Sequence, residues 1–162
     1  MPRRSPARSS LNQTPQRRGR LAVVFGDQLD LGSSLVRSLG PDDTVLMVEA
    51  VDESRHVPSH IQRTTLFLSA MRHFAALLRG RGVRVRYVDL DDPENTGSLD
   101  GEIARALAAV GPTEIVCTLP GEWRVKAMVE RVAETTGVPL ALLPDEHFIT
   151  TPEQFAAWAD GR

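Results

Sequence analysis

The chain has 162 residues, of which 41% are hydrophobic and 25% are charged, as is usual for a single soluble globular domain. Its single cysteine, Cys117, excludes an intramolecular disulfide framework and any four-cysteine metal or iron–sulfur site within this chain. No apolar run approaches the roughly 20 residues of a membrane helix, so we expect a cytoplasmic protein with no membrane partner.

Charge is unevenly distributed between the first 20 residues and the rest. Residues 1–20 contain six arginines and no acid, and without those six, 13 basic residues face 21 acidic ones, so residues 21–162 carry a formal charge of −8. The Ser-, Pro-, Arg- and Gln-rich start predicts a disordered tail over 1–20 and a folded domain over 21–162. The tail is either inert, a weak DNA contact through counterion release, or a segment like an organellar transit peptide. The acidic body is not expected to bind DNA by itself.

Strand-like and helix-like segments alternate along the chain from residue 21. Short apolar runs predict strands over residues 21–25, 44–50, 83–90, 114–119 and 138–143. Apolar spacing and end signals predict helices over residues 33–39, 58–80, 103–110 and 125–132, the last of these stopped by Gly137, and a final helix that starts at the Thr151–Gln154 capping box. Turn residues predict a loop over 91–98.

This alternation predicts a three-layer α/β fold with a five-stranded, Rossmann-like parallel sheet covered by helices on both faces. Ligands of such open sheets bind beyond the carboxyl ends of the strands, near the reversal of strand order. Three segments should meet there: Gly26-Asp27-Gln28 after the first strand, residues 49–54 after the second, and Pro120-Gly121-Glu122-Trp123 after the fourth.

The residue types in these segments restrict the class of ligand that they could bind. Neither the dinucleotide fingerprint G-x-G-x-x-G nor the P-loop motif follows the first strand. The carboxylates of the three segments are Asp27, Glu49, Asp52, Glu53 and Glu122, and only the adjoining Arg55 and Arg124 could offset them. Such a cluster repels phosphate and suits a neutral, hydroxyl-bearing aromatic ligand, with Trp123 as an apolar wall. The structural alternatives are that Asp27 binds turn amides, that Glu122 only complements a helix dipole, and that Trp123 packs beneath a neighbouring loop.

Four stretches carry a family resemblance that extends from about Leu21 to Arg162. They are FGDQL (25–29), LSAMRHFAALLRGRGVRVRYVDLDDPENTGSL (68–99), PGEWRV (120–125) and PDEHFITTPEQFAAWADGR (144–162). The chain resembles the N-terminal domain of the deoxyribodipyrimidine photolyase-related proteins, the bacterial iron–sulfur cryptochrome and (6-4) photolyase branch. The resemblance implies a photolyase-type antenna domain that holds 6,7-dimethyl-8-ribityllumazine, a fused-ring pigment with a ribityl chain and no phosphate.

The same resemblance implies that this chain lacks the light-dependent lyase chemistry of DNA repair. FAD, the [4Fe–4S] cluster and the DNA-binding surface belong to a helical C-terminal domain, which we expect only in a separate polypeptide or a missing part of the gene. Carried over by position, the pigment site comprises Gly26, Asp27, Gln28, Glu49, Glu53, Pro120, Gly121, Glu122 and Trp123. Arg55 and His56 stand where relatives more often have a small and an aromatic residue, which leaves the register across 49–53 open by about one residue.

Two other classes of function remain open from the sequence. One is a small-ligand-binding or nucleotide-transforming domain of similar topology, against which the missing phosphate motifs argue. The other is a non-functional gene fragment with a folded core. An antenna domain and a remnant keep the same core residues, so residue patterns alone do not separate them.

Overall fold

The computed structural model describes residues 18–52 and 60–160. Within them the predicted alternation of strands and helices is confirmed. The strands are Leu21–Val23 (β1), Thr44–Val48 (β2), Arg84–Val88 (β3), Ile115–Thr118 (β4) and Leu140–Leu143 (β5). The helices are Ser34–Arg37 (α1), Ile61–Gly80 (α2), Leu99–Val110 (α3), Trp123–Thr136 (α4) and Pro152–Asp160 (α5).

The five strands form one parallel sheet in the order β3-β2-β1-β4-β5. The chain runs outward from the central strand β1 through β2 to β3, and then crosses to the other side of β1 to form β4. Strand order therefore reverses between β1 and β4, and the carboxyl ends of these strands frame the crevice where ligands of such sheets bind. The predicted Rossmann-like, three-layer class is confirmed.

Alternate residues of the strands feed two separate apolar cores. In β1, Leu21 and Val23 belong to the core beneath α3 and α4, whereas Ala22 and the following Val24 belong to the core beneath α1 and α2. Period-two alternation in a strand covered on both faces produces this division. The sheet thereby holds helices on both sides and fixes where their first turns reach its carboxyl edge.

Helix ends follow the signals in the sequence. Ser98 caps α3 by accepting from the N–H of Gly101 at 3.2 Å. Gly137 ends α4 with φ of 69°, a left-handed conformation that glycine adopts without steric cost. The start of α2 is later than residue 58, because His60 is the N-cap and its Nδ1 accepts from the N–H of Gln62.

The described part of the arginine-rich start is attached to the folded body. Arg20 donates from its backbone and its guanidinium to Asp43, at 2.6–3.1 Å, and the Gly19 carbonyl accepts from the N–H of Thr113. Burial raises the pKa of Asp43, but the hydrogen bonds from Arg20 and from the Gly40 N–H together outweigh that effect and lower the pKa overall. Ordered chain thus begins before residue 21. The rest of the predicted tail, residues 1–17, lies outside the described residues.

None of the helices in the described part of the chain is both long enough and apolar enough to cross a bilayer.

Candidate functional site

A cavity of about 340 Å³ opens at the carboxyl edge of the sheet, beside the reversal of strand order. Its volume lies in the range of about 300–1,000 Å³ that small-molecule sites occupy. The lining residues follow β1, β2 and β4 or lie on α2, α3 and α4: Val23–Asp27, Val48–Ala50, Arg63, Thr64, Phe67, Leu68, Met71, Leu99, Ile103, Pro120–Glu122, Arg124 and Val125. The cavity therefore combines apolar walls with a few charged groups.

Most of the predicted site residues line this one cavity. They are Gly26, Asp27, Glu49, Pro120, Gly121 and Glu122. Gln28 and Trp123 are not among the described residues that line it, and Glu53 lies outside the described residues. The three predicted segments therefore converge as parallel-sheet topology requires, while their contacts with a ligand stay a prediction.

Gly26 is a glycine because a helix passes close to it. A Cβ built at this position would lie 2.5 Å from Cε1 of Phe67 and 2.8 Å from Sδ of Met71, both on α2. A side chain there would push the Phe67 ring aside. The ring lines the cavity and is 44% exposed, so Gly26 determines where an aromatic wall of the site stands.

At Gly121, the position that a side chain would occupy is open space. Within the described residues, nothing lies within 4 Å of a Cβ built there, although Gly121 lines the cavity. The following residue, Glu122, is the N-cap of α4 and makes no side-chain cap hydrogen bond within the described structure. A helix start without a side-chain cap carries backbone N–H groups that water or a ligand can satisfy. This corner gives a flat ligand close access to the backbone.

Glu49 is the most heavily bonded of the predicted site residues. Its fully buried carboxylate accepts from Arg72 at 2.6 and 2.8 Å, from the Tyr87 hydroxyl at 2.5 Å and from the Leu90 N–H at 2.9 Å. Burial by itself raises the pKa of Glu49, but these hydrogen bonds outweigh burial and lower the pKa overall. The donors already present hold Glu49 in place as part of the cavity wall, and acceptance from a ligand stays a prediction.

Arginine side chains in and beside the cavity offset part of the negative charge that the residues at the strand ends predicted. Arg63 lines the cavity, and Arg124, which is 3.0 Å from Glu122, lines it too. Arg72, which is not among the described lining residues, forms an ion pair with Glu49 and offsets its negative charge. Among the described residues, three carboxylates and two arginines therefore line the cavity, so their repulsion of phosphate is weaker than the sequence implied.

Helix α2 supplies the lining residues that the sequence reasoning missed: Arg63, Thr64, Phe67, Leu68 and Met71. The sequence contained a signal that Arg63 and Thr64 would lie near the cavity. A helix that follows a parallel strand begins at the carboxyl edge of the sheet, so its first turn stands beside the ligand crevice. The position of Phe67 in the lining could not be predicted from the sequence, because only the packing of α2 shows that its ring reaches Gly26.

Gln28 and Trp123 have other contacts. Gln28 is buried, and its Nε2 donates to the Leu119 carbonyl at 3.1 Å, which joins the loop after β1 to the loop after β4. Trp123 is 75% exposed, with the Lys126 ammonium 5.0 Å from its ring centroid. Gln28 thus positions the two loops that form the site, and Trp123 stands at its outer surface. Packing of Trp123 beneath a loop is not what the structure shows.

A metal centre is not evident at this edge. Within the described ranges, no group of three or more His, Cys, Asp and Glu side chains is placed to hold a metal ion. Cys117 is buried in the sheet, and burial raises the pKa of its thiol to about 12.

Comparison with known proteins gives two matches. Residues 22–162 match the family model described as deoxyribodipyrimidine photo-lyase-related protein. The chain is also 39% identical over 145 residues to a (6-4) photolyase of Agrobacterium fabrum, a match that covers 88% of this chain and 28% of that relative. The chain therefore spans less than a third of the length of the curated relative that it matches.

Proposed function

Because this chain belongs to the deoxyribodipyrimidine photo-lyase-related proteins, we propose that it is a pigment-binding antenna domain. Its ligand is 6,7-dimethyl-8-ribityllumazine, and its cavity is the one at the carboxyl edge of the sheet. When bound, the pigment absorbs light and passes excitation energy to a flavin in a light-dependent DNA-repair protein. The chain itself binds and orients the pigment and shields it from water.

The observation that carries this proposal is the open cavity wall at Gly121. No described side chain approaches a Cβ there, so a flat ring can lie directly against the backbone. Phe67 and Val125 offer apolar contact to such a ring, and the start of α4 offers N–H donors to its carbonyls. Asp27 is exposed at the cavity and suits the hydroxyls of a ribityl chain.

A second candidate is a ligand that carries a phosphate. Arg63 and Arg124 line the cavity and support it, because a guanidinium binds phosphate oxygens well. FMN is the informative comparison, since it pairs a related fused ring and ribityl chain with a phosphate. We expect the lumazine to bind more tightly than FMN. Equal affinities would show that phosphate is not excluded.

This chain takes part in the activity of the longer relatives only as one component of an assembly with further polypeptide. We propose that FAD, the iron–sulfur cluster and the DNA-binding surface reside on further polypeptide, so this chain contributes light collection and not photoproduct repair. The negatively charged body supports this division, because a surface rich in carboxylates is repelled by the DNA backbone.

The test is a fluorescence titration of the purified chain with the lumazine. Gly121→Val and Asp27→Ala should each weaken binding at least about tenfold, which corresponds to about 1.4 kcal/mol. The valine occupies the space of the ring, and the alanine removes a charged acceptor. Neither change should alter the thermal midpoint, since Gly121 has open space around it and Asp27 is exposed.

Two matched variants control for general effects. Gly80→Val changes another glycine with open space, at the far end of α2, and Glu134→Ala removes an exposed acid near the end of α4. Both should bind the lumazine as the unchanged chain does. If Gly121→Val and Asp27→Ala match these controls, the pigment does not bind in this cavity.

A further inference from the structure

The negative charge of the folded body is not spread evenly along the direction of the strands. Eleven of the 21 acidic residues lie in the described parts of the segments that follow the five strands, at the carboxyl edge of the sheet. They are Asp27, Asp30, Glu49, Asp52, Asp89, Asp91, Asp92, Glu94, Glu122, Asp145 and Glu146. The same described segments contain neither lysine nor arginine. Negative charge is therefore concentrated at the edge that carries the cavity.

Arginines gather at the opposite, amino edge of the sheet, where β1, β2 and β3 begin. Leu21, Thr44 and Arg84 are in register across these strands, so the Cα atoms of Leu21 and Arg84 are about 10 Å apart. Two arginines precede β1, one is the first residue of β3, and two stand at the carboxyl end of α2, which leads into β3. We call these five the amino-edge arginines: Arg18, Arg20, Arg79, Arg81 and Arg84.

Two of the amino-edge arginines already have acidic partners. Arg20 binds Asp43, and Arg84 lies 3.9 Å from Asp42. Arg84 also donates to the carbonyls of Pro41 and Asp43 at 3.0 and 3.3 Å. Both guanidinium groups thus hold the loop before β2, and in this region five positive charges stand against two negative ones.

The other three amino-edge arginines, Arg18, Arg79 and Arg81, are exposed. Arg79 donates to the Val85 carbonyl at 3.3 Å, and none of these three guanidinium groups is paired with a carboxylate of the described residues. Residues 1–17 join the fold at this edge through Arg18 and contain four more arginines and no acid. Positive charge is therefore both exposed and uncompensated at the amino edge.

The partner that this surface fits is the phosphate backbone of a nucleic-acid duplex. A DNA duplex carries one negative charge per about 1.7 Å of its axis, and guanidinium groups bind phosphate oxygens while counterions are released. The same backbone repels the carboxylates of the opposite edge. The charge distribution therefore orients the chain with its amino edge toward a duplex and its cavity away from it.

We propose that the amino-edge arginines bind the phosphate backbone of duplex nucleic acid, independently of base sequence and of damage. This contact goes beyond the pigment binding proposed above, and it is distinct from photoproduct recognition, which we place on further polypeptide. None of the five arginines is among the described residues that line the cavity, so the contact does not depend on the lumazine.

The test is a fluorescence-anisotropy titration of short labelled duplexes with the full chain at about 50–200 mM salt. Arg79→Gln with Arg81→Gln should weaken binding at least about tenfold at the lowest salt. The slope of log K against log salt should become shallower by about 1.8, which is about 0.9 for each lost phosphate contact. Helix propensity changes little, because glutamine and arginine are similar helix formers.

A matched double variant controls for the loss of charge. Lys126→Gln with Arg131→Gln removes the same two charges from α4 and should leave the slope nearly unchanged. Gly121→Val should bind the duplex as the unchanged chain does, so a failed pigment assay and a failed duplex assay are separate results. Thermal midpoints of all the variants show that they are folded.

The source of the phosphates is identified by titrating a DNA duplex and an RNA duplex of the same sequence in parallel. The duplex that binds more tightly is the source. A scrambled sequence and a duplex that contains an ultraviolet photoproduct should bind with the same affinity as the original, because backbone contacts carry no sequence information.

Three results would overturn the proposal. One is an equal change of slope in the two double variants, since binding would then depend on overall charge and not on the amino edge. Another is unchanged affinity in Arg79→Gln with Arg81→Gln, because these arginines would then only complement the dipole of α2 and any binding would belong to residues 1–17. The third is a lack of duplex binding even at about 50 mM salt.

Discussion

Gly26 and Gly121 line the same cavity but differ in what surrounds them. A Cβ on Gly26 meets Phe67 and Met71, whereas a Cβ on Gly121 meets none of the described atoms within 4 Å. Sequence alone treats both as loop glycines. The structure separates a glycine that makes room for the protein's own ring from one that leaves room for a ligand.

Gly26→Ala should lower the free energy of unfolding by about 1–3 kcal/mol, because the added methyl overpacks the contact with α2. Gly121→Ala should leave that free energy unchanged or slightly raised, since alanine restricts the unfolded chain without a clash. Chemical denaturation of both variants measures the difference. Equal effects would show that Phe67 moves aside freely.

Cys117 should be inert toward thiol reagents in the folded protein. It lies in the central sheet with its thiol pKa raised by burial to about 12, so little thiolate exists near neutral pH. Reaction with Ellman's reagent should be about a thousandfold slower than for an ordinary cysteine with pKa near 8.5. Unfolding in guanidinium chloride should restore the ordinary rate. Rapid reaction of the native protein would mean that this part of the sheet opens frequently.

At the scale of elements, Glu49 joins three parts of the fold. It follows β2, binds Arg72 of α2 and binds Tyr87 of β3. The residues bonded to it are 23 and 38 positions away along the chain. At the carboxyl edge of the sheet, one buried carboxylate thus joins β2, β3 and α2, next to the cavity that it helps to shape.

Glu49→Gln should lower the free energy of unfolding by about 1–3 kcal/mol at neutral pH, the range for hydrogen bonds to a charged group. The value is not larger because Arg72 is half-exposed and stays hydrated. Since folding lowers the pKa of Glu49, its stabilisation is present above the ordinary value near 4.5 and is lost as pH falls through the folded value. The difference between the two proteins should therefore narrow below about pH 4.5.

Denaturant titrations at a series of pH values measure this dependence. Asp89→Asn is the matched control, because Asp89 is an exposed acid 3.8 Å from the same arginine. We expect a change within about 0.5 kcal/mol for that variant. A pH-independent difference between the unchanged chain and Glu49→Gln would show that the charge of Glu49 is not what stabilises the fold.

The loop after β3 is organised by two polar side chains. Asn95 donates from its Nδ2 to the carbonyls of Glu49 and Asp89 at 3.0 and 2.8 Å. Glu102, fully buried in the first turn of α3, accepts from the N–H of Thr96 at 2.8 Å and pairs with Arg105. Turn residues predicted the loop over 91–98, and these contacts explain how a loop rich in polar residues keeps one conformation.

At the scale of the whole molecule, the folded body begins within the arginine-rich start. Removal of residues 1–17 should leave the thermal midpoint nearly unchanged. Removal of residues 1–20 should lower it by about 3 °C or more, since the charged bonds from Arg20 to Asp43 contribute about 1.5–3 kcal/mol and 1 kcal/mol corresponds to about 2–4 °C at this size.

Calorimetry of both truncations measures these shifts. Arg20→Ala in the full chain is the control, and it should reproduce most of the larger loss. A large loss on removal of residues 1–17 would contradict the expectation, because it would mean that this stretch contributes to the stability of the body.

Much of the architecture was predictable because its signals are local. Apolar periodicity and end signals identified the strands β1 to β5 and the helices α1 to α5, Gly137 marked the end of α4, and the capping box marked the start of α5. Alternation of strands and helices implies a parallel sheet, which brings residues 26–27, 49–50 and 120–122 to one edge. The location of the cavity at this edge thus follows from the sequence.

The charge and shape of the site were decided by tertiary contacts. Arg72 on Glu49, Phe67 against Gly26 and Arg20 on Asp43 each join residues that are more than 20 positions apart. Local patterns carry no information about such pairs, because they depend on how helices pack across the sheet. The sequence by itself therefore determined the elements, the family and the edge of the sheet where the cavity lies. Only the tertiary structure decided which carboxylates are neutralised and which glycine leaves open space.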